Sequence, residues 1–366
     1  MIGVRGTAGL PSYGSGEPFA SAACSAVDLE SALNTISILD LALIGRGQTA
    51  RESLNASVVL AQHAEALGYR RVWYAEHHNI RSIASSATSV LIAHVAAHTK
   101  QIRLGAGGIM LPNHAPLTIA EQFGTLAELH PDRIDLGLGR APGGDQPTMR
   151  ALRRYEESVE SFPQDVLELQ GYLAGESLIR GVDATPGKGT KVPLYILGSS
   201  LFGAQLAAGL GLPFAFASHF APQSLREAVA LYRRSFEPSE QLDRPHVIAG
   251  LNVIAAETAA DAQVQFQAVK RFRVSVLLGR GRTLSDEEAD ALLQSPAGER
   301  IMQMGTYAAV GTPVEVRKYV EDFVQLARAD ELITVHPSQT VADRLKSVQL
   351  LAETMELVPA SPQVFD

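Results

Sequence analysis

Beyond residue 35 the chain alternates between two hydrophobic patterns. Apolar runs of strand length stand at residues 36–43, 71–74, 102–106, 134–138, 194–197, 214–217, 247–255 and 332–335. Between them, apolar positions recur at helical spacing. In 51–67, Leu54, Val58, Ala61, Ala64 and Leu67 share one face, and Gly68 stands where a helix C-cap belongs. Further helices are expected at 88–98, 117–129, 204–210, 224–236 and 341–354. One long amphipathic helix is expected within 148–173, and a charged one runs to about Gly279.

Eight strands alternating with helices argue for parallel pairing and right-handed crossovers. The count matches an α/β chain folded as a (β/α)8 TIM barrel; an open doubly wound sheet has no need of an eighth unit. Two segments interrupt the alternation, a polar Gly/Pro/Lys stretch at 181–191 and residues 279–311. They read as insertions after strands 4 and 7, the second as a lid or packing arm. The expected organisation is an N-terminal extension (1–35), one barrel domain (36–358) and a short tail (359–366).

Composition changes this picture little. With 46% apolar and 19% charged residues, 366 residues suffice for a large core. The formal charge of −8, with no basic stripe, speaks against nucleic acid as a partner. No apolar run reaches membrane-spanning length. The single cysteine, Cys24, allows no intramolecular disulfide and no cysteine-based metal site, which fits a cytoplasmic setting. The first residues lack the basic start and apolar core of a signal peptide.

Candidate chemistry gathers at the carboxyl ends of the strands. Strand four runs into R-I-D-L-G-L-G-R-A-P-G-G-D at 133–145, placing Arg140 among glycines. Its guanidinium fork suits a phosphate or carboxylate. Gly198, Ser199 and Ser200 follow strand five and precede a helix, where hydroxyls and backbone N–H groups form an anion site or an ordinary serine cap. In Glu76-His77-His78-Asn79, adjacent side chains take opposite faces. One histidine therefore looks into the mouth as a general acid or base, unless both merely cap the strand. Gly107-Gly108 lets a flat ring approach the backbone, or marks a bulge, and Asn113 and His114 follow at the same mouth. His94 and His98 have a zinc-binding spacing, but H-V-A-A-H lacks the metalloprotease glutamate, and no metal is expected. The G-L-G-R-A-P run has proline where a dinucleotide fingerprint needs its third glycine.

Taken together, Y-A-E-H-H-N at 74–79, G-G-I-M-L-P-N-H at 107–114, A-E-Q-F-G-T-L at 120–126, R-I-D-L-G-L-G-R-A-P-G at 133–143, the turn at Gly198, Ser199 and Ser200, and the G-L-P after its helix resemble the bacterial luciferase-like flavin monooxygenases. The resemblance spans residues 36–355 and points to single-chain members rather than light-emitting luciferase. It implies a barrel that binds reduced FMN and uses O2 to oxidise a small organic substrate through a flavin peroxide, as a monooxygenase acting on paired donors. It further implies the flavin phosphate at Gly198, Ser199 and Ser200 with Arg140, and the isoalloxazine ring on Gly107 and Gly108 across a non-prolyl cis peptide. His77 would be the catalytic histidine. Gly139 stands where luciferase carries a cysteine, which argues against light emission. Lacking a dinucleotide fingerprint, the chain is expected to receive FMNH2 from a separate NAD(P)H flavin reductase. A homodimer through the second and third helices is expected. The alternatives are a deazaflavin-dependent oxidoreductase and a non-catalytic flavin-binding protein.

Overall fold

The computed structural model describes residues 35–141, 145–154, 157–279, 282 and 284–359. The extension with Cys24 and the tail after Pro359 lie outside them. Nine parallel strands run through the described chain: β1 (Ile36–Asp40), β2 (Arg71–Tyr74), β3 (Arg103–Met110), β4 (Ile134–Gly139), β5 (Leu194–Gly198), β6 (Phe214–Phe216), β7 (Val247–Ala255), β8 (Ala308–Gly311) and β9 (Glu331–Val335). Eight of them close a ring. β1 pairs with β2 and β9, the pairing proceeds in order to β6, and β6 pairs with β7, which pairs with β9. This is the expected TIM barrel.

The helices are α1 (Ala50–Leu67), α2 (Thr88–Ala96), α3 (Pro116–Leu129), α4 (Gln146–Ala151), α5 (Glu157–Glu160), α6 (Phe162–Ala174), α7 (Leu201–Gly209), α8 (Leu225–Ser235), α9 (Ala259–Leu278), α10 (Asp286–Leu293), α11 (Pro296–Met304), α12 (Pro313–Ala327) and α13 (Val341–Thr354). Local chemistry sets their ends. Thr49 and Glu52 make a reciprocal capping box at the start of α1, and Gly68 closes it at φ 89°. The single long helix expected within 148–173 is three pieces, α4 to α6. Pro163, one residue into α6, can begin a helix but cannot continue one.

The excursion after β7 is larger than the pattern predicts. α9, α10 and α11 leave the shell, and β8 returns to pair with Asn252–Ala255, which overlaps the barrel-closing part of β7 only at Asn252. α12, in a region to which the apolar pattern assigns no element, then packs on β7, α8 and α13 in the shell. A second capping box, Thr312 with Glu315, starts it. The excursion is tied to the loop after β1, where Arg46 pairs with Asp286 at 3.0 Å.

Side-chain parity organises the barrel interior. Along β2 and its extension, Val72 and Tyr74 pack outward against the helices, while Arg71, Trp73, Ala75 and His77 point inward, from the amino end to the mouth. The lowest layer is polar and fully buried. Arg71 Nε donates to Glu331 Oε1 at 2.9 Å, and its Nη1 donates to Asp135 Oδ2 and to the Tyr195 hydroxyl, both at 2.7 Å. Ser37 and His246 also bond Glu331, and Arg103 bonds Asp135. Above this plug lies an apolar layer of Leu39, Trp73, Ile333 and Val335. Glycine makes room beside it: a Cβ on Gly105 would stand 2.9 Å from the Trp73 indole nitrogen.

Candidate active site

A cavity of about 590 Å³ opens above that apolar layer, at the carboxyl end of the barrel. All seven residues to which the resemblance gives a role line it: His77, Gly107, Gly108, Arg140, Gly198, Ser199 and Ser200. Its remaining wall is largely apolar, with Leu41, Leu43, Met110, Phe216, Phe220 and Val335 among the contributors. No aspartate or glutamate occurs among the lining residues described.

One end of the cavity is built for an anion. β5 finishes at Gly198, and Ser200 takes the N-cap position of α7 with extended backbone. Its hydroxyl makes no capping hydrogen bond, so the first-turn N–H groups of α7 remain available to a ligand. Ser199 and Ser200 are both exposed to the cavity. Arg140, just past β4, lays its guanidinium over the Phe202 ring at 4.0 Å, which holds the cation beside the helix start.

The Gly107–Gly108 peptide is cis, as the resemblance implies. β3 does not end before this pair but runs through it to Met110, with a register shift against β4 between Ala106 and Ile109. A Cβ on Gly107 would stand 2.8 Å from Leu39 Cδ1, and one on Gly108 would stand 2.7 Å from the Gly137 carbonyl oxygen. The bare backbone therefore fits a planar ring laid against it where side chains do not fit.

Parity selects His77 for the mouth, and His78 turns away to bond Glu76 at 2.7 Å. His77 Nδ1 is buried with no hydrogen-bond partner among the described residues. Burial lowers the His77 pKa; Glu76 opposes this and His78 adds to it, so the imidazole is neutral at neutral pH. His219, after β6, stands beside it. It is partly buried, its Nδ1 is likewise without a partner among the described residues, and burial drives its pKa down to about 3. A methyl group at Gly250 would collide with that Nδ1, so β7 gives His219 its space. Both rings line the cavity, while the unpartnered Nδ1 atoms themselves are buried in the wall, that of His219 against Gly250.

Asn113 and His114 do not reach the mouth as expected. They converge on Glu76, whose buried carboxylate also accepts from the Met110 N–H at 3.0 Å. Burial works to raise the Glu76 pKa. The hydrogen bonds and charge of His114, the bond from His78 and the Met110 N–H outweigh it, and the group is held below its ordinary value. Glu76 is thus a hub that fixes the β2 and β3 ends relative to each other, and only long-range pairing reveals it. His94 and His98 are exposed on and just past α2; the His98 ring bonds the His94 carbonyl at 2.7 Å. No metal-binding cluster occurs among the described residues. The lid is also placed differently. Residues 279–311 contribute Met304, whereas α9 supplies Val269, Phe272, Arg273, Val276 and Leu277.

A TIM barrel whose mouth combines an uncapped helix start, a side-chain-free glycine ledge and an apolar wall fits an oxidoreductase built around one deep cavity. The chain belongs to the luciferase-like monooxygenase family, whose model matches residues 35–330. The "Luciferase-like monooxygenase" of Escherichia coli is 45% identical to it over 323 residues, covering 87% of this chain and 96% of the relative. An uncharacterised Bacillus subtilis protein, YvbT, is 47% identical over 322 residues, covering 87% of this chain and 96% of its own. Among solved structures, apo-MsnO8 superposes with a TM-score of 0.81 at 36% identity, over 89% of this chain and 99% of that one. No helix in the described chain is long and apolar enough to cross a membrane.

Proposed function

We propose that this protein is an FMN-dependent monooxygenase that uses reduced flavin and O2 to oxidise a small organic substrate. The observation that carries the reading is the alignment, along one cavity, of an anion-ready helix start, a side-chain-free backbone ledge and an unpartnered neutral imidazole. Gly198, Ser199, Ser200 and Arg140 would hold the flavin phosphate, and Gly107 and Gly108 would seat the ring. When bound, reduced flavin supplies the oxygen activation and the two electrons. The chain's own part is to orient the ring, to exclude water with the apolar wall, and to manage one proton at His77. Neutral His77 can accept a proton at one ring nitrogen and donate from the other.

Electrons reach the flavin from a separate NAD(P)H flavin reductase, because the sequence carries no dinucleotide fingerprint. Reduction of FMN by NADH in the purified protein alone would refute that. The chain pairs as a homodimer in the cytoplasm. The exposed Val90 of α2 and Leu129 of α3 offer apolar surface for the contact, and light scattering reads the mass.

The test is anaerobic titration with photoreduced FMN, followed by mixing with oxygenated buffer. Bound flavin should reoxidise more slowly than free flavin, and His77→Ala should speed that return by at least about tenfold. No binding, reoxidation as fast as free flavin, or preference for a deazaflavin would sink the proposal.

A further inference from the structure

Two arginines line the cavity, and only one is accounted for by a cofactor phosphate. Arg273 sits on α9 within an apolar stripe made by Val269, Phe272 and Val276, at positions that share one helical face. Two residues earlier, on a different face, Arg271 pairs with Asp286 at 3.0 Å and Asp290 at 2.5 Å. Arg273 has no such partner. It forms no hydrogen bond or ion pair with any described residue, and no acid is among the described residues that line the cavity. Burial alone lowers its pKa, with no carboxylate to counter it, yet guanidinium remains charged in proteins. A half-buried, unpaired cation in an apolar wall carries a desolvation cost that a bound anion removes. The fold also leaves it room, since a methyl group at Gly305 would collide with its Nη1. Its charge acts directly on His219, which also feels His77.

We propose that Arg273 is a substrate anchor: its fork takes the carboxylate of a small organic acid whose apolar body lies along the α9 wall and reaches the His219–His77 side of the cavity. A planar carboxylate matches one guanidinium edge with two parallel bonds. The substrate class is therefore an amphiphilic monocarboxylate rather than a neutral alkyl compound. The proposal rests on the flavin reading only in giving Arg140, and not Arg273, to the cofactor phosphate.

The test is calorimetric binding of hexanoate, octanoate and 4-phenylbutyrate, each paired with its primary amide, to the FMN-loaded and FMN-free full chain. At least one acid should bind about tenfold or more tightly than its amide, as expected for a charge-assisted bidentate contact. Arg273→Met should erase that preference and leave FMN affinity unchanged within about twofold. Arg273→Lys should keep part of it, and Arg271→Met should leave it intact. Thermal melting checks that each variant folds. If no acid outbinds its amide, or if the preference survives Arg273→Met, the proposal is overturned. Weakened FMN binding with intact acid preference in Arg273→Met also overturns it and gives Arg273 to the flavin. If the wild type fails to bind FMN while the acid preference still follows Arg273, the anchor stands and the flavin reading falls.

Discussion

Replacing Glu331 with glutamine probes the polar plug beneath the cavity. Glu331 is fully buried and accepts from Ser37, from both Nε and Nη2 of Arg71, and from His246. Burial alone would raise its pKa. The Arg71 charge, then the His246 and Ser37 contacts, overcome that and depress it from the ordinary 4.5 to about 2. That displacement corresponds to about 3 kcal/mol at 1.36 kcal/mol per tenfold. The sign follows from proton counting. The unfolded chain binds the proton first as pH falls, so this stabilisation is complete above pH 4.5 and is lost as pH drops toward 2. Glu331→Gln keeps the shape and removes the charge, and Arg71 retains Asp135. The variant should be about 3 kcal/mol less stable than wild type at pH 7.5, and the gap should narrow to about 1 kcal/mol at pH 3. Urea titration read by fluorescence is direct, because Trp73 is the chain's single tryptophan and its indole donates to Asp135 at 3.1 Å within this same network. An unchanged urea midpoint at pH 7.5, or a gap that stays constant to pH 3, would refute the reasoning.

Two other perturbations address the cavity and the buried histidines. Arg140→Gln should weaken FMN about tenfold and leave riboflavin unchanged, since only FMN carries the phosphate; equal losses for both would remove Arg140 from the phosphate site. His219 and His336 are both pushed to about 3 by burial. Their stabilisation is complete above the ordinary 6.5 and is lost as pH falls toward 3, because the unfolded chain takes up protons first. Each should therefore cost about 2 kcal/mol at pH 5. Urea midpoints between pH 7.5 and 5 should fall, and His336→Gln should shallow that slope; identical slopes in the two proteins would count against it.

Much of the barrel is legible in the chain because its strands are short, mostly apolar runs separated by segments of helical periodicity. β8 escapes because Ala308–Gly311 is short and composed of small residues. The break between α4 and α6 escapes because apolar residues recur across it, and periodicity does not register a turn between two helices. At the site, the legible residues are those with unusual backbone or charge next to a strand end: the glycine pair, Arg140 and the serines. Glu76 and His219 are illegible for a different reason. Their roles arise from partners 34 to 38 residues away for Glu76, and from the packing of the β6 end against β7 at Gly250 for His219. Inward parity counted from Arg71 through Trp73 would have singled out His77 over His78. The cation within the Val269–Val276 stripe would likewise have marked Arg273 as out of place on an apolar face.

β7 serves two structures at once. Its first six residues close the barrel against β6 and β9, and its last four carry β8. The chain that leaves at α9 is thus returned to a strand already complete without it. The excursion is built as a cassette: its helices stand outside ring closure and apart from the β4–β5 edge where the phosphate site is proposed. On the proposed reading, editing this one contiguous segment would change the substrate wall and leave the proposed cofactor seat untouched.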